Sequence, residues 1–442
     1  MSCKYGERGS LTAICTNATP IFFKDTTYRF DHLDETLLCV NCRLTHLSLG
    51  SFDVSGNRIQ TLNISNSQIK TIEEKAFTGL IFMEKLILSD NAISKIEQRA
   101  FFGTRKTKQL YMENALEGPL PNYVFQELHQ LRELYLKNNS LAILEQNTFY
   151  GLGSLTYLDL SYNKLRIINN SLSSLSSLKV LLLNNNEIFK ITSSDFYPLQ
   201  NLLDLDLSDN IIGSFLINFT HTNSLKKLNL SKNHLGNEVV KIGIFQHLHN
   251  LEILDLSLNW FKTIPPKLFM GLYNLRELNL ASNSITKFQS GAFTGLPNLR
   301  LINVSHNNIE IADITGKLSL RQLHVLDISE NKISNFDIVK FLQRLPKITK
   351  IDLRENSMDC VKRRLVYDYL KDENIQVEAS VEFCPKLSEA AYKEFYQDVN
   401  EEIEDLKKGS PVITSMKVVF LLLVILSIGL LYYVHLFIVR RK

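Results

Sequence analysis

Residues 155–168 read LTYLDLSYNKLRII, and this stretch decides the fold. Leucines stand at Leu155, Leu158, Leu160 and Leu165, with a single amide, Asn163, among them. The spacing matches neither the period of about 3.6 of a helical face nor the two-residue alternation of a half-buried strand. The same pattern, L-x-x-L-x-L-x-x-N-x-L, returns at 131–141, 178–188 and 275–285. The stretch is therefore one unit of an internal repeat.

The asparagine position of the pattern marks thirteen rungs, most of them 24 residues apart. Ser67 and Ala115 fill two rungs, and the others are Asn91, Asn139, Asn163, Asn186, Asn210, Asn233, Asn259, Asn283, Asn307, Asn331 and Asn356. The step widens to 26 residues between Asn233 and Asn259. Pattern and period together are the leucine-rich repeat signature. One unit cannot bury its apolar side alone, so the units must stack. The sequence predicts an α/β repeat solenoid, a horseshoe with a parallel sheet on its concave side.

A second column supports this frame. Phenylalanines follow the rung positions at a fixed distance, with one displaced by the wide repeat: Phe77, Phe101, Phe125, Phe149, Phe196, Phe245, Phe269, Phe293 and Phe341. Leucines and phenylalanines should then form one continuous core. The rung amides should satisfy backbone groups of adjacent coils, which makes Asn163 structural rather than part of a site. Around the Ala115 rung, LYMENALEGPLP predicts a bend or irregular coil over 114–121.

The six cysteines are confined to the two flanks of the array. They are Cys3, Cys15, Cys39, Cys42, Cys360 and Cys384. An even number in these positions predicts disulfides and an oxidising compartment. A zinc site at Cys39 and Cys42 is disfavoured because no histidine stands at ligand spacing beside them. The four N-terminal cysteines allow three pairings, and the sequence does not choose among them.

An apolar run, VVFLLLVILSIGLLYYVHLFIV at 418–439, predicts one transmembrane helix within 416–439. Basic residues 440–442 follow it and acidic residues at 401–405 precede it. The positive-inside rule then gives a single-pass plasma-membrane protein with an extracellular N-terminal ectodomain. The opening MSCKYGERGS has no apolar signal segment. The alternatives to a signal missing from this sequence are a tail anchor with a cytosolic bulk and a GPI signal, which Pro411 and the basic triplet disfavour.

The end of the array, NSMDCVKRRLVYDYLKDENIQVEASVEFCP, resembles the C-terminal cysteine cap of extracellular leucine-rich repeat proteins. The fullest form of that cap has four cysteines, so the resemblance implies a single disulfide between Cys360 and Cys384. Residues 1–387 together resemble the ectodomains of Toll-like receptors and, in size and cap style, the transmembrane leucine-rich immune proteins of insects. The resemblance implies recognition of microbial products or partner proteins at the cell surface. Only three residues follow the predicted span, so a signal would need a co-receptor.

The predicted organisation has six parts. They are an N-terminal cysteine cap at 1–58, repeats at 59–358, a C-terminal cysteine cap at 359–387, a juxtamembrane helical stalk at 388–415, the transmembrane helix at 416–439 and a cytoplasmic tail at 440–442. The stalk carries an apolar helical stripe at Leu387, Ala391, Phe395, Val399, Ile403 and Leu406. The stripe could pair two chains into a homodimer or heterodimer; the alternative is a helix packed on the cap or a plain stalk.

The outward-facing strand positions of the concave side carry an aromatic cluster. It comprises Tyr111, Tyr135 and Asp159, flanked by Tyr157 and Tyr162. Tyrosine offers a large contact area and a hydroxyl at a low entropic cost, so these five residues are the predicted ligand-binding surface. The alternative is that exposed strands favour aromatic residues in any case.

Seven N-x-S/T acceptors predict a glycoprotein. The sites are Asn17, Asn63, Asn138, Asn169, Asn218, Asn229 and Asn303. Asn63, Asn229 and Asn303 fall in the concave columns, where glycans would obstruct the face away from the tyrosine rungs. Large partners would then favour the middle of the array or a lateral face.

No catalytic motif is present: the sequence lacks G-x-S-x-G, H-E-x-x-H, a P-loop and a dinucleotide fingerprint. An acidic run at Asp204, Asp206, Asp209 and Asp255 could hold calcium, but LDLS is common filler in such repeats, so neither metal nor cofactor is predicted. A net charge of +3 with 21% charged residues gives no attraction to nucleic acid. The leading hypothesis is a cell-surface module that binds protein or microbial ligands in innate immunity. A cell-adhesion molecule and a tail-anchored cytosolic scaffold are the alternatives.

Overall fold

The computed structural model describes residues 2–5, 11–24, 34–53, 58–216, 219, 224–237, 240–241, 243–289, 291–311, 320–382 and 384–408. The predicted transmembrane segment, the cytoplasmic tail and Asn218 lie outside these residues. Among the helices of the described ranges, none has both the length and the apolar composition to cross a bilayer.

Short strands alternate with turns along the array. In chain order the strands are β1 Ser2–Tyr5, β2 Thr12–Thr16, β3 Thr36–Val40, β4 His46–Leu47, β5 Thr61–Asn63, β6 Thr71–Ile72, β7 Lys85–Ile87, β8 Lys95–Ile96, β9 Gln109–Tyr111, β10 Glu133–Tyr135, β11 Tyr157–Asp159, β12 Val180–Leu182, β13 Lys190–Thr192, β14 Asp204–Asp206, β15 Ser214–Leu216, β16 Lys227–Asn229, β17 Ile253–Asp255, β18 Thr263–Ile264, β19 Glu277–Asn279, β20 Lys287–Phe288, β21 Leu301–Asn303, β22 Val325–Asp327, β23 Lys350–Asp352 and β24 Gln376–Glu378. The helices are α1 Pro20–Lys24, α2 Ser193–Phe196, α3 Ile338–Arg344, α4 Cys360–Asp372 and α5 Glu389–Lys408.

One sheet lines the concave side and has 17 strands in the described part of the chain. Its rung strands pair in parallel and in register, so that Leu134 of β10 stands beside Leu110 of β9 and Leu158 of β11. Strands β1 to β3 extend the sheet at one end, where β1 is antiparallel, and β24 extends it at the other. The predicted repeat solenoid with a parallel concave sheet is confirmed.

Outside the concave sheet the repeats consist mainly of turns and of short strands that pair as β4–β6–β8, β13–β15 and β18–β20, which corrects the predicted α/β class. Within the described repeats, helices occur only as α2 and α3, of four and seven residues. A helix is about 10 Å wide, whereas neighbouring strands lie about 4.8 Å apart. A helix behind every strand would therefore splay the sheet, and units of about 24 residues avoid this by returning through turns.

Asn163 ties its own coil to the coil before it. Its Nδ2 donates to the carbonyls of Leu160 and Leu136, each at 3.0 Å, and its Oδ1 accepts from the Leu141 amide at 3.1 Å. The same kind of bridge is made by Asn91, Asn139, Asn186, Asn210, Asn233, Asn259, Asn283, Asn307, Asn331 and Asn356. Each amide satisfies backbone groups that the turning chain points into the core.

The two rungs without asparagine use the backbone instead. The carbonyl of Ala115 accepts the amide proton of Ile93 at 2.8 Å, and the carbonyl of Ser67 accepts that of Leu44 at 2.8 Å. The chain after Ala115 runs so close to the preceding coil that a Cβ on Gly118 would lie 2.1 Å from a carbonyl oxygen there. Strand β9 nevertheless keeps its register on both sides. The bend or irregular coil predicted over 114–121 does not disturb the pairing of the sheet.

Phenylalanine rings form a second buried column behind the leucines. From Phe52 to Phe149 the rings stack at centroid distances between 5.6 and 6.2 Å. From Phe245 to Phe293 the distances are 6.3 and 6.4 Å. Between the two stacks Leu172, Phe196 and Phe219 are buried, and Leu172 belongs to the Asn163 rung, which has no phenylalanine. Leucines and phenylalanines together make a single continuous core.

Disulfides close both ends of the array. Cys3 pairs with Cys15, which joins β1 to β2, and Cys39 pairs with Cys42 at the end of β3. The N-terminal pairing that the sequence leaves open is therefore sequential. At the other end the disulfide joins Cys360, the first residue of α4, to Cys384. This is the pairing that the resemblance implies.

Helix α5 packs on the C-terminal cap. The ring of Phe395 lies edge-on to Tyr369 of α4 at 6.1 Å, and Val399 is buried. The hydroxyl of Tyr392 donates to Asp368 at 2.7 Å. The cap therefore covers the apolar stripe at Phe395 and Val399, so these two side chains are not available to pair with a second chain.

Candidate functional site on the concave face

The concave strands present two outward columns of side chains. In the rung strands of the sheet from β5 to β23 the middle residue is buried, while the first and third are mostly half-buried or exposed, because side chains alternate along a strand. Parallel pairing in register places equivalent residues of neighbouring rungs about 4.8 Å apart. Side chains of successive coils therefore form continuous rows across the face.

Three tyrosines stack across neighbouring rungs and form what we call the tyrosine platform: Tyr111, Tyr135 and Tyr157. The rings of Tyr111 and Tyr135 lie with centroids 4.4 Å apart and planes 6° apart. Tyr157 tilts against Tyr135 at 5.0 Å and 37°. Such aromatic pairs contribute about 0.5–1.5 kcal/mol beyond the area they bury. The platform is therefore ordered before any partner arrives.

Hydrogen bonding fixes the edge of the platform. The hydroxyl of Tyr135 donates to Glu133 Oε2 at 3.0 Å, and the same oxygen accepts from Gln109 Nε2 at 2.8 Å. Burial, and then the Glu133 hydrogen bond, raise the pKa of Tyr135. Burial, and then the charge of Asp159, raise the pKa of Tyr157. Both phenols therefore stay neutral at physiological pH and present hydroxyl groups.

Lys85 on β7 closes one end of the platform. Its Nζ lies 4.7 Å from the centre of the Tyr111 ring, a cation–π contact. The ring of Tyr111 thus meets Lys85 from one neighbouring side and Tyr135 from the other. The sequence analysis did not include Lys85 among the site residues. A signal was present, since the repeat frame aligns Lys85 with Gln109 of the next rung.

Asp159 serves a turn, which corrects its place among the candidate ligand contacts. Its side chain is buried, with 6% exposure. Its Oδ1 accepts from the backbone amide of Ser161 at 2.9 Å and from the Ser161 hydroxyl at 2.6 Å. Both contacts bend the chain off the strand, as in an Asx turn. The Asp159 carboxylate therefore stabilises the turn after β11.

The same Asx turn recurs at the ends of other rung strands. The pairs are Asn63 with Ser65, Asp206 with Ser208, Asn229 with Ser231, Asp255 with Ser257, Asn303 with Ser305 and Asp327 with Ser329. Tyr111 and Tyr135 occupy the equivalent third position of β9 and β10 and cannot make it. These two rungs forgo hydrogen bonds that contribute about 1 kcal/mol each and carry aromatic surface in their place.

Tyr162 lies off the platform, on the turn after β11. Its backbone has a φ of 56°, and its side chain is 48% exposed. The Nζ of Lys137 lies 5.1 Å from its ring centre. The structure thus brings three of the four predicted tyrosines together and places the fourth at the rim.

The acidic run does not converge on a cation site. Asp206 and Asp255 are held in Asx turns, and Asp209 pairs with Lys232 at 3.3 Å. Burial is the main cause that raises the pKa of Asp204, while Lys227 opposes it. Among the residues that the structure describes, no group of three or more acidic, cysteine or histidine side chains could hold a metal ion.

The glycan acceptors fall into two settings. Asn63, Asn229 and Asn303 sit in Asx turns, so the repeat itself accounts for an asparagine two residues before a serine. Asn138 and Asn169 have exposed side chains and left-handed backbone with φ of 52°. Their use as glycan sites stays a prediction.

The leucine rich repeat family matches residues 57–116, 118–165, 129–188, 238–285 and 249–309. These segments of the chain are leucine-rich repeats. This confirms the family that the spacing of the opening stretch indicates. No curated protein matches the sequence.

Solved structures show the same fold for this leucine-rich repeat protein. The leucine-rich repeat domain of APL1B has a TM-score of 0.60 at 21% identity, over 75% of this chain and 93% of that one. A leucine-rich repeat protein of Leptospira interrogans has a TM-score of 0.58 at 20% identity, over 78% and 90%. The APL1 leucine-rich repeat domain has a TM-score of 0.56 at 20% identity, over 81% and 90%. At these identities the likeness concerns the fold, and function must be argued from the site.

Proposed function

We propose that this leucine-rich repeat protein is a single-pass cell-surface receptor that binds protein or microbial ligands on its concave tyrosine platform, in innate immune recognition. The observation that carries the proposal is the exchange at β9 and β10. Tyr111 and Tyr135 stand at the third strand position, where most rungs make an Asx turn. Ile87 and Leu182 lack that turn as well, but only the two tyrosines of β9 and β10 put stacked aromatic rings there, 4.4 Å apart. A surface that gives up structural hydrogen bonds for ordered aromatic area has the character of an interface centre.

Three further features support a place outside the cell. All three disulfides lie in the caps, as in secreted proteins. The apolar run at 418–439 and the basic residues after it favour a membrane anchor with the repeats outside. The glycan acceptors agree with that topology.

The experiment displays the full-length chain on transfected cells and measures the adhesion of labelled bacteria. Replacing Tyr111, Tyr135 and Tyr157 by alanine should reduce the bound bacteria at least about tenfold, because central aromatic contacts typically contribute 2 kcal/mol or more, about 30-fold, each. The control replaces three exposed tyrosines elsewhere by alanine: Tyr150, Tyr197 and Tyr273. Equal binding by both variants would contradict the proposal. Aggregation of the transfected cells with one another, without bacterial adhesion, would favour the cell-adhesion alternative.

A further inference from the structure

A groove runs along the concave face beside the tyrosine platform. It has a volume of about 340 Å³ and crosses four consecutive strands, β5, β7, β9 and β10. Its lining comes from the first residue of each strand and the residue before it, which include Glu84, Lys85, Lys108, Arg132 and Glu133. Gln109 of this lining shares the Glu133 carboxylate with the Tyr135 hydroxyl. Groove and platform are therefore parts of one surface.

Both carboxylates of the groove are already engaged. Glu84 pairs with Lys108 at 2.8 Å. Glu133 accepts two hydrogen bonds through Oε2, from Gln109 and Tyr135. Lys108 thus neutralises Glu84, while Glu133 has its Oε2 occupied by two neutral donors and no cation in an ion pair among the described residues.

Two cations of the groove have no carboxylate partner among the described residues. Lys85 contacts the ring of Tyr111 and makes no ion pair there. Arg132 is exposed at the end of the groove and has neither an ion pair nor a side-chain hydrogen bond within the described ranges. A guanidinium presents a planar set of donors that matches a carboxylate. The charged groups of the groove that remain available to a ligand are therefore the cations Lys85 and Arg132.

The floor of the groove offers no backbone donors. The amides of Glu84 and Lys85 both donate to the carbonyl of Gln60, and those of Arg132 and Glu133 both donate to that of Lys108. A ligand must therefore be recognised by side chains. Lys85 and Arg132 stand two strands apart, about 10 Å, which acidic residues two to four apart in an extended segment can bridge.

We propose that the groove binds an acidic peptide segment of the protein partner, with carboxylates on Lys85 and Arg132 and the segment lying against Tyr111 and Tyr135. This rests on the proposed function, because it takes the concave face as the binding face. An acidic peptide fits better than a nucleic acid. The rings of the platform are stacked on one another and on Lys85, so Tyr111 has no open face for a base.

The test measures fluorescence anisotropy of a labelled ten-residue polyglutamate peptide with the full-length chain. Arg132→Glu and Lys85→Glu should each weaken binding at least about fivefold, and the double variant should abolish it. Raising the salt concentration should weaken binding to the unaltered chain. The control is Arg300→Glu, because Arg300 is exposed and precedes β21 as Arg132 precedes β10. Arg132→Gln and Lys85→Gln should show smaller losses in the same direction.

Three results would overturn the proposal: no polyglutamate binding, equal losses for Arg132→Glu and Arg300→Glu, or tighter binding of an oligothymidylate of the same length. Circular dichroism of each variant verifies that it is folded. The outcome is separable from that of the proposed function. Loss of polyglutamate binding in Arg132→Glu, together with unchanged bacterial adhesion in the tyrosine variant, would support the groove and contradict the receptor role. Unchanged polyglutamate binding in Arg132→Glu, together with loss of bacterial adhesion in the tyrosine variant, would contradict the groove and support the receptor role.

Discussion

The side-chain amide of Asn163 donates to the carbonyl of Leu136 in the preceding coil at 3.0 Å, while its oxygen accepts from Leu141 of that same coil at 3.1 Å. One side chain thus satisfies a buried acceptor and a buried donor that have no strand partner. The stacking of coils depends on these lateral bonds as well as on the leucine core.

Asn163→Ala should therefore lower the free energy of unfolding by about 2 kcal/mol, because it leaves the buried Leu141 amide unpaired, whereas the Leu136 carbonyl keeps the bond from Asn139. Urea unfolding of the full-length chain, followed by circular dichroism, measures the change. Tyr162→Ala on the adjacent exposed position serves as the control and should change stability by less than about 0.5 kcal/mol. A similar loss in both variants would show that the amide is dispensable.

Ala115→Asn gives the converse prediction. The other rungs make an asparagine look favourable here, yet Ile93 already donates to the Ala115 carbonyl, and Ala115 is fully buried. The larger side chain should overpack the rung and destabilise the protein by about 1–3 kcal/mol. If the variant were more stable in the same urea titration, the bond from the Ile93 amide to the Ala115 carbonyl would be a poorer support for this rung than an asparagine side chain.

The repeat frame could be read from the sequence because its signals are local and recur in every coil. The leucines, the rung asparagines and the phenylalanine column each have a fixed offset within the unit. The α/β class failed because nothing in a single unit reports how closely the units stack. A helix about 10 Å wide behind each strand would splay a sheet whose strands lie about 4.8 Å apart. The bond from Ile93 to Ala115 could not be foreseen either, since it needs the actual approach of two backbones.

The candidate site was foreseen only in part. Tyr111, Tyr135 and Tyr157 were found because strand alternation assigns them to one face. Asp159 was misplaced because the sequence does not show that its carboxylate turns back onto Ser161. Lys85 and Arg132 were missed because their meaning depends on which neighbouring carboxylates are already paired.

Titration of the phenols tests the geometry of the platform. The folded protein raises the pKa of Tyr135, first through burial and then through the hydrogen bond to Glu133. A raised pKa means that the folded state keeps a proton that the unfolded state loses, so this residue's contribution to stability is present below about pH 10 and is lost as the pH rises above that unfolded value.

Tyrosinate absorbance, compared between the unaltered chain and Tyr135→Phe, should show that the phenol removed is one that ionises well above pH 10. Glu133→Gln should lower the pKa of Tyr135 relative to the unaltered chain. If the difference spectrum placed Tyr135 at its ordinary pKa, the hydrogen bond to Glu133 would be absent in solution.

Hydrogen bonds to the cap should hold helix α5 in place. The hydroxyl of Tyr396 donates to Asp372 at 2.6 Å and that of Tyr392 donates to Asp368 at 2.7 Å. The double change of Tyr392 and Tyr396 to phenylalanine should raise amide exchange across 389–408 at least about fivefold, since each bond to a charged group contributes about 1.5–3 kcal/mol before allowance for solvent exposure. Hydrogen–deuterium exchange measured by mass spectrometry detects this. Tyr367→Phe on α4 is the control. Unchanged exchange in α5 would show that apolar packing alone holds the helix.

The central claim is that the tyrosine platform is the contact surface. The most direct measurement places a photo-crosslinking phenylalanine analogue at position 135 or at position 273 of the full-length chain and irradiates it in the presence of bacteria or partner-bearing cells. The account predicts covalent adducts from position 135, and their loss when Tyr111 and Tyr157 are replaced by alanine, with none from position 273. Adducts from position 273 and none from position 135 would contradict it.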